Sequence, residues 1–141
     1  MNLTLDSSVI IAALRTQEAK HRECKALLEQ IRDGKHTAFE SVIVPVEVTA
    51  AIHRRTGSAE LARQVRENLL RLSSLILMEL TRSRMESAAR VAERTGLRGM
   101  DAIIVQVAEE SQAILVTLDD EVADKSRAIV TVKEIDAVLA E

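Results

Sequence analysis

At 141 residues the chain is long enough for one domain with a substantial hydrophobic core and too short for two ordinary ones. Apolar residues make up 47% and charged residues 29%, which excludes a disordered chain, and the single aromatic residue, Phe39, excludes a base-stacking platform for single-stranded nucleic acid. The net charge of −3 is unevenly spread: residues 54–98 hold ten Arg against five acids, and residues 99–141 ten acids against three bases.

The first element, "LTL", is a short strand pattern that runs into Asp6, and "SSVIIAALR" then starts a helix with a serine near its N-cap. "EAKHRECKALLEQIRDG" is an amphipathic helix with Ala19, Cys24, Leu27, Leu28 and Ile31 on one face and Gly34 as its stop. "HTAFE" is a second strand. A helix opens at Ser41 or shortly after and runs to about Arg55 before "RRTG" ends it, and Pro45 fits only its opening turn. "SAELARQVRENLLRL" is a helix capped by Ser58, "SLILMEL" a strand, and "SRMESAARVAERTG" a helix closed by Gly96. "GMDAIIVQVAEESQ" is a helix, "AILVTL" a buried strand, "DDEVADKSR" a short helix, "AIVTV" a strand and "KEIDAVLA" a terminal helix.

Strands alternate with helices, and the strands are continuous apolar runs, as a parallel sheet covered on both faces requires. The expected architecture is a single α/β domain over residues 1–141. Cys24 is the only cysteine, so neither an internal disulfide nor a thiolate metal site can form. No stretch is apolar for the roughly 18 residues a membrane span needs, and Asp6 interrupts the first apolar run, which argues against a signal peptide. A cytoplasmic protein without a membrane partner is expected.

In an open parallel sheet, ligands gather outside the carboxyl ends of the strands. Asp6 ends the first strand, and Asp119, with Asp120 beside it, follows "AILVTL". Asp101 opens the "DAIIVQVA" helix, and Glu47 lies early in the helix after the second strand. Asp101 also suits an ordinary N-cap and Asp119 a turn. Asp6 and Glu47 have apolar neighbours and no Lys or Arg close in sequence, so each needs a partner or a metal. Four converging carboxylates would repel one another unless a cation shared the load, and an all-oxygen set suits Mg²⁺ or Mn²⁺. His21 and His36 fit the surface, and His53 is the only histidine near these motifs.

The ordered set "LDSSVIIAAL", "VEVTAAIHRR", "LRGMDAIIVQVAEE" and "ILVTLDDEVAD" resembles the PIN-domain family, particularly the single-domain toxins of VapBC-type toxin–antitoxin pairs. The resemblance spans nearly the whole chain. It implies a PIN-like three-layer α/β/α sandwich with a five-stranded parallel sheet and a Mg²⁺- or Mn²⁺-dependent endoribonuclease. The family's acids map onto Asp6, Glu47, Asp101 and Asp119, with metal held by Asp6, Asp101 and Asp119 and supported by Ser8, Thr117 and Asp120. Arg54 and Arg55, on the helix of Glu47, would meet RNA phosphates, although they also suit a helix C-terminus. The resemblance further implies an RNA substrate, a small DNA-binding antitoxin and a homodimer. Two other enzyme readings fail on single positions. A haloacid-dehalogenase-type phosphatase needs an Asp where Ser8 stands, and a receiver domain needs an Asp where Thr81 and Arg82 follow "LILMEL". The remaining alternative is a catalytically silent PIN-like RNA- or protein-binding module.

Overall fold

A computed structural model describes all 141 residues. β1 (Asn2–Leu5) leads through Asp6 into α1 (Ser7–Leu14), and α2 (His21–Arg32) follows. β2 (Thr37–Ser41) precedes α3 (Ile43–Thr56) and α4 (Ala59–Leu70). β3 (Leu75–Met78), α5 (Arg82–Thr95), α6 (Gly99–Ser111), β4 (Ile114–Val116), α7 (Asp120–Ser126) and α8 (Ile135–Leu139) complete the chain.

The strands form one parallel sheet in the order β3-β2-β1-β4. From β1 the chain moves outward to β2 and β3, then returns to place β4 on the other side of β1. The order therefore reverses between β1 and β4, which opens a crevice at their carboxyl ends. α6 packs across β1 and β2 and is backed by α5, while α1 packs with α2 and α3, extended by α4 and α8. The core joins 29 buried residues, all aliphatic apart from Cys24, in keeping with a chain that has one half-buried aromatic residue.

The sheet has four strands rather than five. The expected fifth strand, "AIVTV", touches the sheet only through a single bridge between Leu115 and Val132. The backbone explains the shortfall. The amides of Ile129 and Val130 both donate to the carbonyl of Ser126, closing the turn after α7, so only Thr131 and Lys133 are left to bond with Leu115. Helix ends agree more closely with their sequence signals. Ser58 and Thr81 accept the amides of Leu61 and Arg84 as N-caps of α4 and α5. Gly57 and Gly96, both at φ 70°, close α3 and α5 in the left-handed region that favours glycine.

Two local expectations are corrected. Ala19 is exposed and lies before α2, which begins at His21. His36 is buried rather than on the surface: its Nε2 pairs with Gln30 Oε1 at 2.9 Å, its Nδ1 faces the N-terminal amine at 3.2 Å, and burial lowers its pKa. No helix is long and apolar enough to cross a membrane.

Candidate active site

Asp6 is the first residue beyond β1, at the carboxyl end of the sheet where the strand order reverses. Its amide donates to the carbonyl of Val116 at 2.9 Å, extending the β1–β4 ladder by one bond, and its own carbonyl accepts the amide of Val9 as α1 begins. Its side chain does not cap that helix. Instead Oδ2 accepts two hydroxyls, Ser8 Oγ at 2.9 Å and Thr117 Oγ1 at 2.8 Å. Two donors from two elements fix the carboxylate's direction at a position only 8% exposed. Thr117 Oγ1 in turn accepts the amide of Asp119 at 3.1 Å, and Ser8 Oγ the amide of Leu118 at 3.4 Å, so the loop after β4 is tied to the one after β1.

Glu47 lies at the fifth position of α3, half-buried between exposed Val46 and buried Val48. Its Oε1 accepts Ser7 Oγ at 2.8 Å, a bond across 40 residues of chain that ties α3 to the start of α1. Asp119 is the N-cap of α7, and its Oδ1 accepts the amides of Glu121 and Val122. Asp101 stands in the first turn of α6 with no protein donor on either oxygen. Burial raises its pKa first, and then the negative charges of Asp6, Asp119 and Glu47 raise it further, while Arg98 opposes them. The neighbours that perturb Asp101 are thus the three other acids singled out from sequence, plus one cation.

The charges of Asp6, Glu47 and Asp119 all reach Asp101, but the four carboxylates do not form a closed cage. No three His, Cys, Asp or Glu side chains are close enough together to hold a metal ready-made. Asp6, Glu47 and Asp119 each bond protein donors through one oxygen and leave the other without one. A set of carboxylate oxygens with free valences suits a hard divalent cation that keeps part of its water shell, so the residues fit Mg²⁺ or Mn²⁺.

The remaining sequence candidates make no hydrogen bond to these four acids. Asp120 is exposed and lines a cleft with Thr117, Lys20 and Asp136, and it is absent from the charges acting on Asp101. Arg54 and Arg55 lie two turns beyond Glu47 on α3, about 10 Å along the axis. Arg55 pairs with Glu18 at 3.0 Å. His53 is exposed in the last turn of α3.

Three further residues beside these acids lie outside the sequence candidates. Ser7, at the start of α1, donates to Glu47. Arg98, three residues before Asp101, is exposed and has no acidic side chain in ion-pair reach. Glu40, at the end of β2, is 0% exposed and accepts the amide of Leu5 at 2.7 Å. An acid in a buried strand was the available signal for Glu40.

A PIN domain profile matches residues 3–128. The chain belongs to the PIN-domain family. PIN domains are typically nucleases and generally metal-dependent. Its structural neighbours are VapC toxins of VapBC complexes. VapC20 of Mycobacterium tuberculosis, a toxin that cleaves the sarcin-ricin loop, superposes with a TM-score of 0.70 at 20% identity over 89% of this chain and 94% of that one. VapBC2 of Rickettsia felis, solved bound to a DNA fragment from its promoter, gives 0.68 at 18% identity over 95% and 98%. VapBC of Salmonella typhimurium, also DNA-bound, gives 0.68 at 14% over 96% and 98%. At such identities the likeness is one of fold. No curated protein sequence matches this PIN domain significantly.

Proposed function

We propose that this PIN domain is a Mg²⁺- or Mn²⁺-dependent endoribonuclease and the toxin of a VapBC-type pair. Its catalytic set is Asp6, Glu47, Asp101 and Asp119, with metal held by Asp6, Asp101 and Asp119. The observation that carries the reading is the placement of Asp6 at the carboxyl end of β1, its Oδ2 held by Ser8 and Thr117 from two elements, in a chain that a PIN domain profile matches over residues 3–128; the charges of Asp6, Asp119 and Glu47 also act on Asp101. Carboxylates whose charges act on one another at the carboxyl end of a parallel sheet are a functional-site signal.

Bound Mg²⁺ or Mn²⁺ would supply charge neutralisation for the scissile phosphate and a lowered pKa for the attacking water. Ser8 and Thr117 hold Asp6 Oδ2, which leaves Oδ1 for the cation. Asp119 is held by the start of α7. Glu47, outside the metal-holding set and anchored through Oε1 by Ser7, offers Oε2 to orient the water and take its proton as the phosphodiester bond breaks. Arg98, exposed beside Asp101, is the cation placed to hold a phosphate of the RNA.

Since VapBC relatives are solved with promoter DNA, a small DNA-binding antitoxin is the partner proposed for this chain. It would silence the site by laying an Arg or Lys among the carboxylates. The second reading, a silent binding module, is favoured by one feature, the absence of a closed metal cage. The deciding experiment incubates purified protein with structured RNA and Mn²⁺. Cleavage that chelator abolishes and Asp6→Asn lacks supports the enzyme. RNA binding with no cleavage at any Mn²⁺ concentration leaves the silent module.

A further inference from the structure

β1 and β2 pair in parallel through Asn2↔Thr37 and Leu3↔Ala38, and there the ladder stops. On its other side β2 continues to pair with β3 as far as Ser41↔Met78, and β1 continues with β4 as far as Leu5↔Val116. The two central strands therefore separate just before the site, while each keeps its outer neighbour. Side chains close the gap. Thr4 Oγ1 donates to the carbonyl of Phe39 at 2.9 Å, and the amide of Leu5 donates to Glu40 Oε1 at 2.7 Å. Two side-chain bonds stand where backbone bonds would otherwise continue the ladder.

Glu40 is a poor choice if stability alone mattered. It is 0% exposed, and its Oε2 is buried with no partner. Burying a carboxyl with one oxygen unsatisfied costs free energy. Burial, opposed by the Leu5 bond and reinforced by the charge of Asp6, pushes its pKa well above the usual carboxylate range. A leucine of similar size would fill the same space without that cost. What leucine could not do is accept the amide of Leu5, one peptide bond before Asp6.

We propose that Glu40 is a positioning residue of the acidic site: its buried carboxyl spreads the ends of β1 and β2, fixes the Leu5 amide, and so aims Asp6 into the space it shares with Glu47, Asp101 and Asp119. The proposal rests on the metal-site reading above. Cation sites demand ligand placement within about 0.5 Å, and partners behind the ligands set that placement.

The test uses the full chain and two readouts, Mn²⁺ affinity by calorimetry and hydrogen exchange of the Leu5 amide by NMR. Glu40→Gln keeps a side-chain carbonyl for Leu5, so amide protection and Mn²⁺ affinity should both match wild type. Glu40→Leu should melt at the same or a higher temperature, lose protection at Leu5, and weaken Mn²⁺ binding by about 10–100-fold. Glu40→Met serves in its place should the branched side chain prevent folding. Wild-type Mn²⁺ affinity in folded Glu40→Leu or Glu40→Met overturns the proposal, whether or not Leu5 stays protected. Loss of Mn²⁺ binding in Glu40→Gln with Leu5 still protected also overturns it, since charge rather than placement would then be the cause. Asp6→Asn is the control. If it binds Mn²⁺ as wild type does, the metal-site reading fails, and the Leu5 exchange still reports on its own whether Glu40 holds the strand end.

Discussion

Asp6 carries two opposing demands, a fixed direction set by Ser8 and Thr117 and repulsion from the acids around it. Asp6→Asn keeps one oxygen for those hydroxyls and removes the charge. The expected outcome is loss of RNA cleavage with the fold intact and a higher melting temperature in metal-free buffer. Full cleavage by the purified variant defeats the assignment. Asp101 makes the same point through pH. Its folded pKa is raised, so between the unfolded value of 3.8 and the folded one the native state binds the extra proton. The site's contribution to stability is therefore least unfavourable below 3.8 and worsens as pH rises through the folded pKa. Wild type should lose melting temperature relative to Asp101→Asn as pH rises from about 4 to about 7, and saturating Mn²⁺ should shrink the gap. A gap independent of pH contradicts the perturbation of Asp101.

At the scale of elements, Asp119 caps α7 and is also proposed to hold the metal, and two substitutions separate the roles. Asp119→Ala removes the acceptor for Glu121 and Val122 and should cost about 1 kcal/mol in chemical denaturation as well as activity. Asp119→Asn keeps a capping oxygen and should lose activity with little change in stability. Asp120→Asn, on the far side of the turn, should be mild in both. An inactive Asp120→Asn beside an active Asp119→Asn would transfer the metal role to Asp120. The element level is also where sequence was most legible. Caps such as Ser58 and stops such as Gly57 act through local backbone chemistry, so short stretches reveal them. "AIVTV" was misleading because its strand character is real but its amides are taken by the turn after α7, a competition that depends on three-dimensional placement. The places of Asp6 after β1 and Asp119 after β4 were legible because a parallel sheet puts such strand ends on one edge. Ser7, Glu40 and Arg98 were not, since their partners lie far along the chain or depend on the fold around them.

At the scale of the molecule, charge and apolar surface assign different faces to different partners. The Arg-bearing segment predicts RNA affinity that falls steeply with salt. Arg98→Ala should reduce the slope of log affinity against log salt by about 1, and a larger fall on charge reversal of both Arg54 and Arg55 would extend the RNA path along α3. No change in slope for any of these removes the segment from the RNA surface. Val46 at 65% exposure, Leu70 at 52% and Ile76 at 43% leave apolar surface along α3, α4 and the edge strand β3. A homodimer is the proposed use, and light scattering behind size exclusion should return twice the 15.5 kDa chain mass. Monomer alone at micromolar concentration counts against it. One claim is central, the proposal that topology gathers Asp6, Glu47, Asp101 and Asp119 around a single divalent cation. Anomalous diffraction from crystals grown with Mn²⁺ tests it most directly. The account predicts a peak bounded by those carboxylates and absent in Asp6→Asn crystals; a peak beside Asp120 and Asp136, or none at saturating Mn²⁺, would contradict it.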